Sequence, residues 1–460
     1  MRSWLGVSAA LSLFVPWSAG AAKIKIPAQI REAGYAPLPA KSHQEVLIPG
    51  EDFKFDTSFG PFAAPALVGT LDCLPYNDLP PDDHPALAWR MATGVPHAKS
   101  GWNYHVIATA GVIAKGSRFV KLLSLECPPA LDAPDSNGRR RIRTFINNWG
   151  FEVPRRDLFS FGLFESIEHA AKHGALDINM SDIKFARGCT PKRYSALARE
   201  ADAVLAHRGK PSWDEALRAF NAKIKRAGCV LFWLGKALEK HPEILLFVSS
   251  GNAGFDNDKT GPVYPSHFPL SNVVVVAAAE DPVGRGRPRG GTVATCTTER
   301  GAVRWRIAIW PTKRRSAWGR RSVTLATNAT DIMTTIERYT WWDGRDKLRP
   351  SPWFKIGNGT SLASPEAANV AAKIRLIAPR LSAAERKSLL IQTSDICPKS
   401  LLAVRSGGVV NPARAFVVAK RLRDDPKLSV DRAVKAEIGD AHHKRLAPFF
   451  SRMDISHGVR

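Results

Sequence analysis

An α/β fold built on a parallel sheet with helices on both faces is what this sequence predicts, and three observations predict it. From residue 65 onward, short apolar runs alternate with stretches of helical character. Some of the runs, "NVVVVAAA" (272–279) above all, are apolar at every position, as in a strand covered on both faces. Polar residues stand at the carboxyl ends of several runs, where folds of this kind gather their ligand-binding groups.

Each element follows in chain order. "ALVGTLD" (66–72) reads as a strand ending at Asp72, "HVIATAGVIA" (105–114) as a helix of small residues, and "FVKLLSL" (119–125) as a strand. "FESIEHAAKHG" is an amphipathic helix feeding the strand "ALDINMS" (175–181), which ends at Ser181. "LFWLGKALEKHPE" feeds "ILLFVSS" (244–250), with Gly251 and Asn252 just beyond, and "NVVVVAAA" follows. Helices at about 361–378, 382–393 and 412–422 close the pattern. Two segments interrupt the rhythm and read as insertions: roughly 128–160, and the Lys/Arg-rich 182–228.

Composition narrows the class. At 460 residues, with 44% hydrophobic and 23% charged, the chain is that of a folded globular protein with one large core or two smaller ones. Residues 1–21 read as a secretory signal: Arg2 gives the positive start, Leu5 to Trp17 the apolar stretch, and Ala19-Gly20-Ala21 the cleavage site. No later segment is long and apolar enough to cross a bilayer. In an exported chain six cysteines can pair. Cys189 and Cys229, flanking one segment, are the pair expected to bridge, against the plainer reading of buried thiols. No CxxC or Cys/His cluster points to zinc. The net charge of +24 admits an anionic partner. The charge is scattered, however, and its densest run, "KRRSAWGRR" (313–321), reads as a solvated loop.

The chemistry centres on "GNGTSLASPEAAN" (357–369), where a serine stands between a glycine turn and a new helix. The plain reading is an N-cap by Thr360 or Ser361, with Pro365 in the first turn. The sharper reading makes Ser361 a nucleophile beside the positive helix end. Such a serine needs a base, an orienting carboxylate and oxyanion donors. His105, Asp72 and Asn252 in "SSGNAG" are the candidates, each with an ordinary structural reading of its own.

Taken together these segments resemble the subtilisin-like serine proteases, the subtilases. "GTSLASP" is similar to the family motif GTSxAxP, with Ser361 at the nucleophile position, and Asn252 in "VSSGNAG" matches the oxyanion Asn. "ALDINMS" resembles the strand lining the substrate cleft, and "SGGVVNPARAF" (406–416) the glycine-rich turn before the last helix. The resemblance covers about residues 63–420 and implies a three-layer α/β/α sandwich with a mainly parallel central sheet. It implies Asp72, His105 and Ser361 as a catalytic triad with Asn252 as oxyanion donor, and Ser181, Asp182 and Gly251 as substrate-binding residues. Departures from the pattern surround the first two. Cys73 and Leu74 follow Asp72 where a hydroxyl residue and glycine are usual, and Val106-Ile107-Ala108 replace Gly-Thr-His after His105.

The implied protein is an exported serine endopeptidase acting on proteins or peptides. The alternative is a subtilase-fold binding module with little or no activity; a third reading, a basic nucleic-acid or surface binder, rests on charge alone. The chemistry requires no cofactor, although "DNDKTG" (256–261) has the oxygen spacing of a partial calcium loop. Residues 22–62 read as an N-terminal segment, a candidate short propeptide, and 421–460 as a basic tail. Sequons at Asn179, Asn328 and Asn358 would put glycans in the cleft or beside the nucleophile. A bacterial periplasmic or extracellular product is therefore expected.

Overall fold

The computed structural model describes residues 54–72, 87–90, 104–117, 119–126, 144–146, 152–154, 161–181, 184–185, 189, 191–229, 231–252, 254–259, 263–264, 270–280, 295–297, 304–307, 316–329, 332–335, 341–342, 348–349, 354–357, 359–396, 404–406 and 408–439. The expected signal, residues 22–53, most of 128–160, Asp182, Asn358 and residues 440–460 lie outside them. The main strands are β1 (Ala66–Asp72), β2 (Leu87–Arg90), β3 (Val120–Glu126), β4 (Asp177–Met180), β5 (Leu245–Ser249), β6 (Val273–Glu280), β7 (Leu325–Asn328), β8 (Asp395–Ile396) and β9 (Gly408–Val409). Ten helices are described: α1 (Lys54–Phe59), α2 (Tyr104–Ala114), α3 (Gly162–Lys172), α4 (Pro191–Leu205), α5 (Trp213–Ala227), α6 (Phe232–Lys240), α7 (Thr360–Ile377), α8 (Ala383–Gln392), α9 (Pro412–Asp424) and α10 (Val430–Ile438).

Seven strands run parallel in the order β2-β3-β1-β4-β5-β6-β7. The short β9 extends the β7 edge in parallel, and β8 closes it antiparallel. The order reverses at β1, which pairs with β3 on one side and β4 on the other. In open parallel sheets the crevice for ligands lies outside the carboxyl ends of the strands at such a reversal. Thr70 stands opposite Asn179, so Asp72 and Ser181 emerge at the same level on either side of it.

Alternation along the strands sends side chains to two separate cores. Leu67, Leu71, Leu123, Leu125, Ile178 and Met180 pack toward the layer of α3 to α6. Ala66, Val68, Val120, Leu122, Leu245 and Phe247 pack toward α2 and α7 to α10. This is the expected three-layer α/β/α sandwich.

The second insertion is part of that architecture. Tyr194, Leu197, Phe220 and Ile224 of α4 and α5 pack in the same core as α3 and α6. The Cys189–Cys229 disulfide, with Cα atoms 4.5 Å apart, closes the excursion where it leaves and rejoins the sheet layer. Both expected ends of the domain also shift. Phe55, Phe59 and Phe62 stack among themselves and against Phe416 and Phe119, so residues 54–62 pack with the domain. At the other end the boundary at 420 falls within α9. The expected tail is folded through Ile438, because Val430, Ala433 and Val434 at helical spacing bury against the core.

Helix α7 runs through the middle of this layer and carries buried charge. Arg375 Nε lies 3.0 Å and Arg386 Nη2 3.2 Å from Asp177, which is fully buried at the amino end of β4. Lys373 is also buried; its ammonium donates to the Lys115 carbonyl at 2.8 Å and sits over the Phe55 ring. Burial, only partly offset by Glu366 and Asp56, pushes its pKa down to about 8, with Lys115 acting the same way. Between pH 8 and 10.5 the unfolded chain then holds the proton that the folded chain has released, so stability rises with pH across that window. Relative to Lys373→Met, the wild type should gain on the order of 3 kcal/mol between pH 7 and pH 10.5. Paired urea denaturations at those two pH values read this directly; a constant gap between the proteins would refute it.

Candidate active site

Four of the candidate residues stand at or just after strand ends or in the first turn of a helix. Asp72 is the last residue of β1, and His105 is half-buried in the first turn of α2. Asn252 follows β5 by three residues, and Ser361 is half-buried in the first turn of α7. Asp182 lies outside the described residues.

The start of α7 depends on a residue far away in sequence. Its N-cap is Gly359, with φ 128°, a backbone conformation that only glycine adopts without strain. Neither Thr360 nor Ser361 caps the helix, contrary to the local reading. Asn252 caps it instead: its Oδ1 accepts from the Thr360 N–H at 2.9 Å and from the Thr360 hydroxyl at 2.9 Å. A Cβ on Gly359 would meet that same oxygen at 3.1 Å, a second reason for glycine there. The Thr360 hydroxyl in turn accepts from the Gly251 N–H at 3.1 Å.

These bonds decide which way the carboxamide faces. A backbone N–H can only donate, so the atom turned to Thr360 must be the carbonyl oxygen. The Nδ2 amide is therefore held on the other end of the group. The Leu362 N–H is taken by the Gly359 carbonyl, which leaves the Ser361 N–H at the open end of the helix, where no intrahelical carbonyl exists. A side-chain amide and a helix-end N–H are the types of donor that a developing oxyanion needs.

A second network holds the serine from beneath. Pro365 sits in the second turn of α7, not the first, and cannot donate to the Ser361 carbonyl four residues earlier. The Ser181 hydroxyl supplies the missing donor, at 2.9 Å. Asn179, 1% exposed, donates to the Ser181 hydroxyl at 3.0 Å and accepts from Ser364 at 2.7 Å. The Ser361 hydroxyl itself rests 3.3 Å from the Ser181 carbonyl, which also accepts from Ser249 at 2.9 Å. Asn179, Ser249 and Ser364 help hold the site and are passed over by motif reading. The available signal for Asn179 is a polar side chain between Ile178 and Met180 in a short buried strand.

Gly251 is fully engaged within the fold, donating to Thr360 and accepting from the Ala317 N–H at 2.6 Å. This revises the basic run 313–321. Ser316, Ala317 and Gly319 within it are buried, and the Ala317 and Trp318 N–H groups donate to the Gly251 and Phe255 carbonyls, while Arg320 and Arg321 are exposed. In the loop with calcium-like spacing, Asp258 accepts from the Arg321 N–H at 2.8 Å and from the Ser322 N–H and hydroxyl at 3.0 and 2.7 Å. No group of three or more metal-ligating side chains occurs among the described residues.

The sequence model described as the subtilase family matches residues 165–433, more than half of the chain. The chain belongs to the subtilases. This subtilase thus has a serine-protease fold, and the match spans Asn252 and Ser361, while Asp72 and His105 precede it. The solved structures it resembles include a lanthipeptide protease, 17% identical, covering 76% of this chain and 86% of that one, with a TM-score of 0.45. Another is the assembly of the subtilase cytotoxin SubAB, 16% identical over 81% and 95% of the two chains, TM-score 0.48. A third is the prenylagaramide maturation protease PagA, 16% identical over 80% and 98%, TM-score 0.44. No curated protein matches this subtilase in sequence. None of its helices among the described residues is long and apolar enough to cross a membrane.

If Asn252 is an oxyanion donor, Asn252→Ala should lower turnover by roughly 10²–10³, the order that loss of this donor costs in subtilisin. Steady-state hydrolysis of a peptide substrate by the folded variant measures it, and an unchanged turnover would remove Asn252 from the chemistry.

Proposed function

We propose that this subtilase is an exported serine endopeptidase whose triad is Asp72, His105 and Ser361. The observation that carries the reading is the locked Asn252 carboxamide, whose oxygen is spent on α7 and whose amide is held for another acceptor. The Ser361 hydroxyl attacks the peptide carbonyl carbon while the His105 imidazole accepts its proton. The negative oxygen so formed takes hydrogen bonds from Asn252 Nδ2 and the Ser361 N–H. The C–N bond then breaks as His105 returns the proton to the leaving amine. Water, deprotonated by the same imidazole, releases the acyl group and restores Ser361. Asp72 holds the imidazole tautomer, and the substrate is a protein or peptide.

Two features support export: the pattern over residues 1–21, and a Cys189–Cys229 disulfide of the kind that persists in oxidising compartments. A second reading, a binding module with this fold, is favoured by Cys73, Leu74 and Val106 beside the proposed acid and base. Labelling with a fluorophosphonate separates the two. The endopeptidase should be modified on Ser361, located by mass spectrometry of the peptide carrying it, and His105→Ala should not be modified. Folded, mature protein that takes no label at Ser361 would refute the endopeptidase and leave the binding module standing.

A further inference from the structure

Helices α2 and α7, which carry His105 and Ser361, pack in one core to which both contribute small side chains. Ala108 and Ala110 of α2 and Ala367, Ala368, Ala371 and Ala372 of α7 are all buried there. Such a surface has shallow ridges, and apolar contact is not directional, so it resists separation of the helices better than sliding. A polar contact resists the sliding. Asn369, 3% exposed, donates from Nδ2 to the Ile113 carbonyl at 2.6 Å and to the Lys115 carbonyl at 2.8 Å. Lys373, one turn further along α7, donates to the same Lys115 carbonyl at 2.8 Å. These carbonyls belong to the carboxyl end of α2, where helical acceptors have no intrahelical donor. Both hydrogens of one amide are therefore used to cap a neighbouring helix.

The placement matters more than the cap. Asn369 lies eight residues after Ser361 along α7, and Ile113 lies eight residues after His105 along α2. At 1.5 Å per residue, the clasp sits about 12 Å down both helices from the paired chemistry. A slip at the clasp would pass along either rigid helix to the distance between imidazole and hydroxyl. Displacements of about 1 Å at reacting groups cost roughly 10²-fold in rate.

We propose that Asn369 is a positioning residue, which fixes the axial register of the His105 helix against the Ser361 helix. The inference rests on the triad reading above. Asn369→Ala removes both donors, Asn369→Asp replaces the amide nitrogen with an acceptor at nearly constant volume, and Asn369→Ser keeps one donor. The rate constant for fluorophosphonate labelling, expressed per folded molecule, should fall about 10- to 100-fold in the Ala and Asp variants and less in Ser. Its pH profile should shift and KM for a peptide should change little. A role in stability alone would lower the melting temperature and leave the labelling rate of folded protein unchanged.

Crystal structures of wild type and Asn369→Ala, superposed on the sheet, supply a readout without activity: α2 should move along its axis. Unchanged labelling and an unmoved α2 would overturn the proposal. If wild type itself takes no label, the protease reading fails separately, and an unmoved α2 would still overturn the clasp. Should Asn369→Ala fail to fold, Asn369→Ser carries the same comparison.

Discussion

Ser361→Ala is expected to reduce peptide hydrolysis by roughly 10⁶-fold, and adding His105→Ala to it should cost almost nothing more. The reason is that nucleophile and base act as one unit: without the hydroxyl there is no proton to accept, and without the base the hydroxyl is a poor nucleophile. What remains is the proposed oxyanion site at the α7 terminus and Asn252, which should leave residual catalysis of roughly 10³–10⁴ over water. Because α7 is capped by Asn252 through the Thr360 N–H, the serine methylene can lose its hydroxyl without disturbing the helix. Kinetics of the two single variants and the double variant on one substrate test this. Losses that multiply would mean that His105 and Ser361 act independently, and the triad assignment would fall.

The second large effect lies at the other end of the sheet. Asp177 is buried between Arg375 and Arg386, which also donate to the Leu67, Leu176 and Leu381 carbonyls. Replacing it with alanine leaves two buried guanidinium groups without their counter-charge, and breaking a buried pair this way costs about 3–5 kcal/mol. Equilibrium denaturation of Asp177→Ala should show that loss, with catalysis per folded molecule preserved, since the site sits at the opposite ends of β4 and α7. A change below about 1 kcal/mol would show that the arginines find solvent or other partners.

How far the sequence announces this structure depends on how local the cause is. β1 is legible from Ala66 to Asp72 because burial on both faces demands a run that is apolar at nearly every position, broken here by Thr70 before the terminal Asp72. The helices from Ala383 and Pro412 are legible from period and from their starting residues. The start of α7 is different. A local reading finds a Ser/Thr cap, whereas the acceptor is Asn252, 108 residues earlier. Pro365 in the second turn is tolerated only because Ser181, 180 residues from Ser361, donates to the carbonyl that Pro365 cannot serve. The run at 313–321 looks like solvated charge because cations dominate it, yet its Ser-Ala-Trp-Gly centre is hydrogen-bonded to the turn that holds Asn252. The motif points to Ser361, but the groups that hold it come from strands whose polar residues look accidental in isolation.

In the proposed mechanism the two ends of the Asn252 side chain have separate duties, and aspartate differs from asparagine there by a single atom and its hydrogens. An aspartate at 252 would keep the oxygen that caps Thr360, and its charge would suit the positive end of α7. It would present an acceptor, and not a donor, to any negative oxygen beside Ser361. Asn252→Asp would therefore lose the donor of the proposed mechanism while keeping the cap that starts α7.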